Sequence, residues 1–379
     1  MKTVVVAGYA RSPFTLAKKG ELAFVRPDRL AAQTVAALVA RTGVKVDDLE
    51  DLLLGCAFPE GEQGLNMARL VALMAGLPKS VAGQTINRFC GSSMQAIHSA
   101  AGAIQMGAGE VFVCAGIESM SRVPMMGYNV LPDPDFAVEM PGAYIGMGDT
   151  AENVAARWGI SRAEQEAFAV ASHAKAAAAR ADGRLEAEIV PITDKKGKVI
   201  SVDGCIRPET TLETLAGLKP AFKVDGVVTA GTSSPLTDGA SATIVCSLDY
   251  AEKNGLEPLA AIKSIAVSGC DPEIMGIGPV GASLKAAARA GIDVKSIDVV
   301  ELNEAFAAQA LACIRDLGLD PEKINLDGGA IALGHPLGAT GARIVGKTAS
   351  LMKREGRKLG LATQCIGGGQ GIATILEAL

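Results

Sequence analysis

The sequence predicts an α/β protein of two similar halves with an insert between them, and three observations carry that prediction. First, RTGVKVDDLEDLLLGCAF (41–58) set against RAGIDVKSIDVVELNEAF (289–306) makes Arg, Gly, Val, Ala and Phe coincide at a constant offset of 248 residues. The same offset carries NRFCGSS (87–93) onto HPLGATG (335–341) and VFVCAGI (111–117) onto LGLATQC (359–365), without a gap. This period is far longer than a solenoid's. Second, each copy runs as an Ala-rich helix, a strand, a loop, a helix opening in small residues and another strand, which is the alternation of an α/β layer. Third, residues 118–240 have no counterpart in the repeat. Two similar halves pack most simply about a pseudo-twofold axis, which sets equivalent loops side by side. The expected units are therefore an N-terminal half (1–117, completed by a returning strand at 241–248), an insert (118–240) and a C-terminal half (249–379).

The elements follow in order. MKTVVVAGYARSPF reads as a buried first strand, because Arg11 interrupts the apolar run before a signal-peptide core can form. A helix over 28–42 has Pro27 at its start and Gly43 at its end. A helix over 91–107 carries Met94, Ile97, Ala101 and Ile104 as an apolar stripe and should be buried. The strands VFVCAG and IDVVEL are nearly all apolar, as strands covered on both faces are. The insert opens with ESMSRVPMMGYNVLPDPDF, a composition suited to a covering loop. Ser161 and Glu164 form a capping-box pattern ahead of a helix that should run to about Asp182 and stop at Gly183. DKKGKV is a hairpin turn whose Lys195, Lys196 and Lys198 read as solvated, and SATIVCSL (241–248) returns to the first half, leaving the insert as a lid-like subdomain.

Composition bounds the function. Apolar residues make up 49% of the 379 with 4% aromatic and 44 glycines, so the interior is closely packed aliphatic residues. A net charge of −5, a pI near 5.5 and no basic block argue against nucleic acid or an anionic membrane as partner. No apolar run approaches the ~20 residues of a membrane span. The eight cysteines never form CxxC, which fits reduced thiols in a cytoplasm better than disulfides or zinc.

Three loops concentrate the chemistry. Cys90 precedes the buried helix, and the unpaired N–H groups and positive dipole end there favour its thiolate. Cys56, Cys114, Cys246, Cys270 and Cys313 read instead as small core residues; Cys205 is left undecided. Of three histidines, His98 and His173 fall within Ala-rich helices, whereas His335 lies in GGAIALGHPLGATG, where six glycines or prolines allow close approach of backbone to a ligand. Cys365 ends the last strand ahead of IGGGQG, whose successive glycines expose amide donors suited to an oxyanion, a bulge or turn being the plainer reading. Asn303 and Glu304 break an apolar strand end where the other copy has Gly55. A cysteine with a base suits acyl transfer through a thioester, and a second thiol supplies a further proton transfer at an α-carbon.

In NRFCGSSMQAIHSA, GIESMS, NEAFAAQ, NLDGGAIALGHPLGATGARI and CIGGGQG the chain resembles the thiolase family from end to end. The resemblance implies a five-layered αβαβα fold of two similar α/β halves with a loop domain. It implies thiolytic cleavage of 3-ketoacyl-CoA by CoA, reversible as a Claisen condensation, with Cys90 carrying the acyl group and His335 activating it. Cys365 would be acid and base at the α-carbon. Asn303, through a water, and His335 would hold one thioester oxygen, and the N–H groups of Cys90 and Gly367 the other. Ser234 would contact the pantetheine arm, Arg207 would lie near the nucleotide of CoA, and Met147 and Phe306 would line the acyl or pantetheine slot. CoA would be a substrate, with no metal or other cofactor; homodimers or homotetramers and a hydratase/dehydrogenase subunit are the partners implied. IRPETT, TAGTSSPLTDGA and GCDPEIMGIGP look like the degradative, β-oxidation branch, and YIGMGDTAEN has Gly146 where short-chain biosynthetic members carry histidine. Acetoacetyl-CoA remains an alternative substrate. A decarboxylating condensing enzyme would use histidine at Cys365, a papain-like hydrolase needs neither the repeat nor the second thiol, and a CoA- or lipid-binding scaffold needs none of Cys90, Asn303, His335 and Cys365.

Overall fold

The computed structural model describes residues 2–379. The first half comprises β1 (Val4–Arg11), β2 (Thr15–Leu16), α1 (Pro27–Thr42), β3 (Asp51–Gly55), α2 (Met67–Met74), β4 (Ala82–Ile86), α3 (Ser92–Gln105) and β5 (Val111–Ser119). The intervening segment holds α4 (Pro134–Glu139), α5 (Met147–Trp158), α6 (Arg162–Ala181), the antiparallel pair β6 (Ile192–Thr193) and β7 (Val199–Ile200), and α7 (Leu212–Ala216). The chain then forms β8 (Thr237–Ser247), α8 (Leu248–Asn254), β9 (Ala260–Gly269), α9 (Gly278–Ala290), β10 (Val299–Leu302), α10 (Ala307–Leu317), α11 (Ala330–Leu333), α12 (Leu337–Glu355), β11 (Leu359–Ile366) and β12 (Gln370–Glu377).

Local chemistry sets these limits. Helix α1 has proline at its first position and ends at Gly43 with φ +67°, a left-handed conformation that glycine adopts without steric cost. Helix α6 begins at Ser161 with both hydrogen bonds of a capping box to Glu164. Strand β8 starts at Thr237, four residues earlier than expected, because its small residues continue the antiparallel ladder with β5 as far as Asp238 opposite Ser119.

The strands run in the order β4-β3-β5-β8-β1, then β9-β12-β11-β10. Within each half the pattern repeats: β3 and β5, like β10 and β11, are parallel, and the remaining neighbours of β8 and β12 are antiparallel. Strand β1 meets β9 at only two register positions, Val5 with Ala261 and Val6 with Ala260, so the two sheets join at a narrow seam. Helices α1 and α2 cover the outer face of the first sheet and α9 the outer face of the second, while α3 and α12 lie against strands of both halves. Five layers result. The central layer is the driest: Met94, Ile97 and Ile104 of α3 have no solvent exposure, and every residue of α12 from Leu337 to Ala349 is buried. The repeat fails where β4 would map onto 330–334, which form the helical turn α11; Gly328 and Gly334, with φ +84° and +104°, bend the chain away from an extended edge.

Buried charge fastens the intervening segment to both halves. Arg11 of β1 pairs with Asp203 and Glu188 at 2.7 Å, and Lys347 of α12 reaches the same Glu188 at 2.8 Å and Asp327 at 2.7 Å. Losing one partner would strand a charge in the interior, so the arrangement fixes position more than it adds stability. Among the described residues no helix is long and apolar enough to cross a membrane.

Candidate active site

Cys90 sits in a tight turn between β4 and α3. The Asn87 side-chain oxygen accepts the Phe89 N–H at 2.8 Å, and the Ser92 hydroxyl donates to the Phe89 carbonyl at 2.6 Å while accepting the Arg88 N–H at 2.9 Å. Phe89 is held at φ +42°, in the left-handed region where a bulky side chain is strained. The turn delivers the Cys90 sulfur to the wall of an apolar chamber of about 510 Å³.

Opposite it, β11 and β12 form a hairpin in which Ile366 pairs with Gln370 and Gly367, Gly368 and Gly369 make the turn. Gly368 and Gly369 both have φ +78°, and a Cβ on Gly369 would lie 2.3 Å from the Cys270 carbonyl oxygen, so neither position admits a side chain without strain. The expectation that Cys365 ends the last strand is corrected: β12 follows it, and Cys365 pairs with Gly371 across the hairpin. The glycines serve both readings, since this turn also aims the Gly367 N–H at the Cys90 sulfur.

The electrostatics of that sulfur differ from expectation. Protein atoms crowd it on every side but the chamber, and this burial pushes the thiol up to about 12, although the N–H groups of Gly367 and Cys90 itself pull the other way. The resting group is therefore a thiol and not the thiolate that a helix N-terminus alone would favour. Cys365 is 1% exposed, and burial followed by the nearby Cys90 sulfur raises it well above the usual thiol range.

His335 is equally enclosed. Its Nδ1 lies 2.6 Å from the Thr340 hydroxyl, which in turn points at the Pro336 carbonyl, and its backbone N–H donates to Thr237 at 3.1 Å. With Nδ1–H donating to Thr340, Nε2 keeps its lone pair and faces the Asn303 amide at 3.4 Å. Burial, assisted by the Arg343 cation, lowers the imidazole to about 3, so it is neutral at physiological pH. Asn303 follows β10, is 1% exposed, and its side-chain oxygen has no protein partner.

Cys90, Gly367 and Met147 line the chamber with Leu337, two residues beyond His335; Met125, Leu131, Phe136 and Ile145 line it too, the first three exposed to solvent. Cys365, Met147 and Phe306 share one apolar cluster, and the Phe306 ring meets Phe222 edge-on at 5.9 Å. Ser234 is half-buried beside it, its N–H on the Ala305 carbonyl at 2.9 Å. Arg207 is not brought to the chamber: it is exposed, and its N–H donates to His173 at 3.2 Å. Cys270 is half-buried beside the hairpin and not in the core, because it closes the same turn through a 2.8 Å bond to the Gly369 carbonyl. Cys205 is buried.

One organising residue escaped the sequence reading. Glu118, 1% exposed, accepts from the N–H groups of Ala57 at 2.8 Å and Gly338 at 2.9 Å and from Gln63 at 2.7 Å. It ties β3, β5 and the start of α12 together behind Cys90. Burial raises its carboxyl against those hydrogen bonds. Its signal was a lone acid at the end of an otherwise apolar strand, in GIES.

Comparison with known proteins decides the family. The description "Thiolase, N-terminal domain" matches residues 4–249, and "Thiolase, C-terminal domain" matches residues 256–378. The chain belongs to the thiolase family. Among similar thiolases is the 3-ketoacyl-CoA thiolase of Bacillus subtilis (strain 168), 48% identical over 389 residues with 100% of both chains covered. That of Shewanella frigidimarina is 50% identical over 386 residues, again with 100% of both. The crystal structure of the Bacillus anthracis acetyl-CoA acetyltransferase superposes with a TM-score of 0.93 at 42% identity, covering 100% of this chain and 99% of that one. That of human mitochondrial 3-ketoacyl-CoA thiolase in complex with CoA gives 0.92 at 40% identity, covering 100% and 98%. The five layers and the repeated halves are thus the thiolase fold, as the sequence predicted.

Proposed function

We propose that this thiolase is a 3-ketoacyl-CoA thiolase: an acetyl-CoA C-acyltransferase that cleaves 3-ketoacyl-CoA with CoA, giving acetyl-CoA and an acyl-CoA shortened by two carbons. The observation that carries the reading is the pair of thiols at one apolar chamber, one with two backbone N–H groups facing it and one buried behind it.

The steps follow from the groups present. The Cys90 thiol passes its proton to the neutral Nε2 of His335 as its sulfur attacks the 3-keto carbon. The oxygen that becomes negative meets the N–H groups of Cys90 and Gly367. As the tetrahedral centre collapses the Cα–Cβ bond breaks. The enolate of acetyl-CoA, its thioester oxygen held by His335 and a water on the unpartnered Asn303 oxygen, takes the Cys365 proton. The acyl group stays on Cys90 as a thioester. CoA then gives its thiol proton to the Cys365 thiolate and attacks that thioester; Cys90 leaves and recovers its proton from His335. Every proton is returned, and CoA is consumed as a substrate.

The chamber of about 510 Å³ is far larger than an acetyl group needs, and its lining from 125–147 is mostly apolar, which supports a longer acyl chain as substrate. Ser234, Met147 and Phe306 line the approach of the pantetheine arm, and the exposed Arg207 is left to the nucleotide end of CoA. Thiolysis of a series of 3-ketoacyl-CoA substrates from four to twelve carbons tests this. kcat/KM should rise beyond four carbons; a maximum at acetoacetyl-CoA with steady decline thereafter would place the enzyme in the short-chain class.

A further inference from the structure

The two N–H groups that face the Cys90 sulfur come from different halves of the chain, one in the turn after β4 and the other in the β11–β12 hairpin. An oxyanion site works only when its donors converge on one point, and a misplacement of about 1 Å costs on the order of 100-fold in rate. Strands β4 and β11 are not neighbours in the sheet, so no ladder fixes one turn against the other.

Two side-chain contacts bridge the gap. Gln364 of β11 donates its Nε2 proton to the Cys90 carbonyl, which lies just ahead of the first helical bond of α3, from the Gln95 N–H to the Gly91 carbonyl. Gln370, the first residue of β12, accepts from Arg88 at 3.0 Å and turns its own amide toward the Gly367 carbonyl at 3.4 Å. Gln364 is wholly buried, and its side-chain oxygen has no protein partner. Burying an amide with an unsatisfied oxygen is costly, and an aliphatic side chain would fill a strand position facing the core at less cost. Its adjacent residue Cys365 projects to the other face of the strand, so one short segment carries the second thiol on one side and a grip on the first thiol's backbone on the other.

We propose that Gln364 is a positioning residue that locks the Cys90 turn to the Gly367 hairpin, so that the two amides converge on a single oxyanion. The proposal rests on the thioester reading above. It makes a distinction that a purely structural hydrogen bond does not. Alkylation of Cys90 by iodoacetamide displaces iodide at a saturated carbon and develops no oxyanion, whereas acetyl transfer from acetyl-CoA does.

The test measures both reactions at Cys90 in the wild-type enzyme, in Gln364→Met and in Gln370→Met, by rapid quench and site-resolved mass spectrometry, with circular dichroism to check folding. Because the same N–H groups also support the thiolate, Gln364→Met should lose up to about 3-fold in alkylation but about 10- to 100-fold in acetylation. Gln370→Met, which loosens the second bridge at a half-buried turn, should show the same selective loss to a smaller degree and keeps the test open if the first variant does not fold. Equal loss of both reactions, or neither changed, would overturn the positioning role. Wild-type enzyme that alkylates but takes no acetyl group would refute the thioester reading, and this proposal with it.

Discussion

At Cys90 two influences oppose each other. Backbone N–H groups favour the thiolate, and burial favours the thiol; burial prevails, holding the group at about 12. His335, pressed to about 3 by burial and Arg343, stays a neutral acceptor. The resting pair is thus thiol and imidazole, and the proton moves only when substrate arrives. Alkylation of Cys90 by iodoacetamide should therefore climb steadily between pH 6 and 9, about tenfold per unit. A plateau beginning near pH 6 would reveal a preformed thiolate–imidazolium pair. The sequence located both residues but carried no sign of this balance, because burial depends on what folds over a turn and not on the turn itself.

Among the elements, the contact between α3 and α12 is decisive, since it places the Cys90 turn and the His335 loop at the same end of the central layer. A Cβ built on Gly341 would fall 2.2 Å from the Met94 backbone nitrogen, and one on Gly338 would lie 2.8 Å from the Cys56 Cα. Backbone occupies those spaces and cannot swing aside as a flexible side chain does. Gly341→Ala is expected to destabilise the protein by about 1–3 kcal/mol in urea unfolding, with the helices forced apart. A loss below 0.5 kcal/mol would show that they yield freely. Glycines here were visible in the sequence, but their partners were not. The strand at 359–366 is equally visible; the IGGGQG turn is legible too, but not that QGIATILE returns from it as β12. Segments matched by the repeat were legible down to the residue, as β3 and β10 begin at the same repeat position. Where copies diverge, at β4 against α11, periodicity had nothing to compare.

Over the whole molecule the halves meet through polar contacts as well as apolar ones. His98 of α3 hydrogen-bonds Thr374 of β12 at 2.9 Å, and burial with the Arg88 cation lowers its imidazole to about 3. Unfolding releases it to an ordinary value near 6.5. Between those limits the unfolded chain binds a proton that the folded one does not, so this contribution to stability is full above 6.5 and falls as pH drops toward 3. The slope is about 1.4 kcal/mol per pH unit. His98→Gln removes the titration, so on acidification from pH 7 to 4 the parent should lose stability faster than the variant; parallel curves would refute the assignment. Clusters such as Arg11, Glu188 and Lys347 lay beyond sequence reasoning, because their partners are joined only by the fold.

The central claim is a division of labour between two thiols at one chamber. Intact-mass measurement of acylation, combined with deuterium exchange at the acetyl methyl of acetyl-CoA, tests it most directly in Cys90→Ser and Cys365→Ala. Cys90→Ser should take up no acetyl group, and Cys365→Ala should gain one acetyl group yet exchange no deuterium into the methyl. Equal loss of acylation in both variants, or methyl exchange persisting without Cys365, would contradict the account.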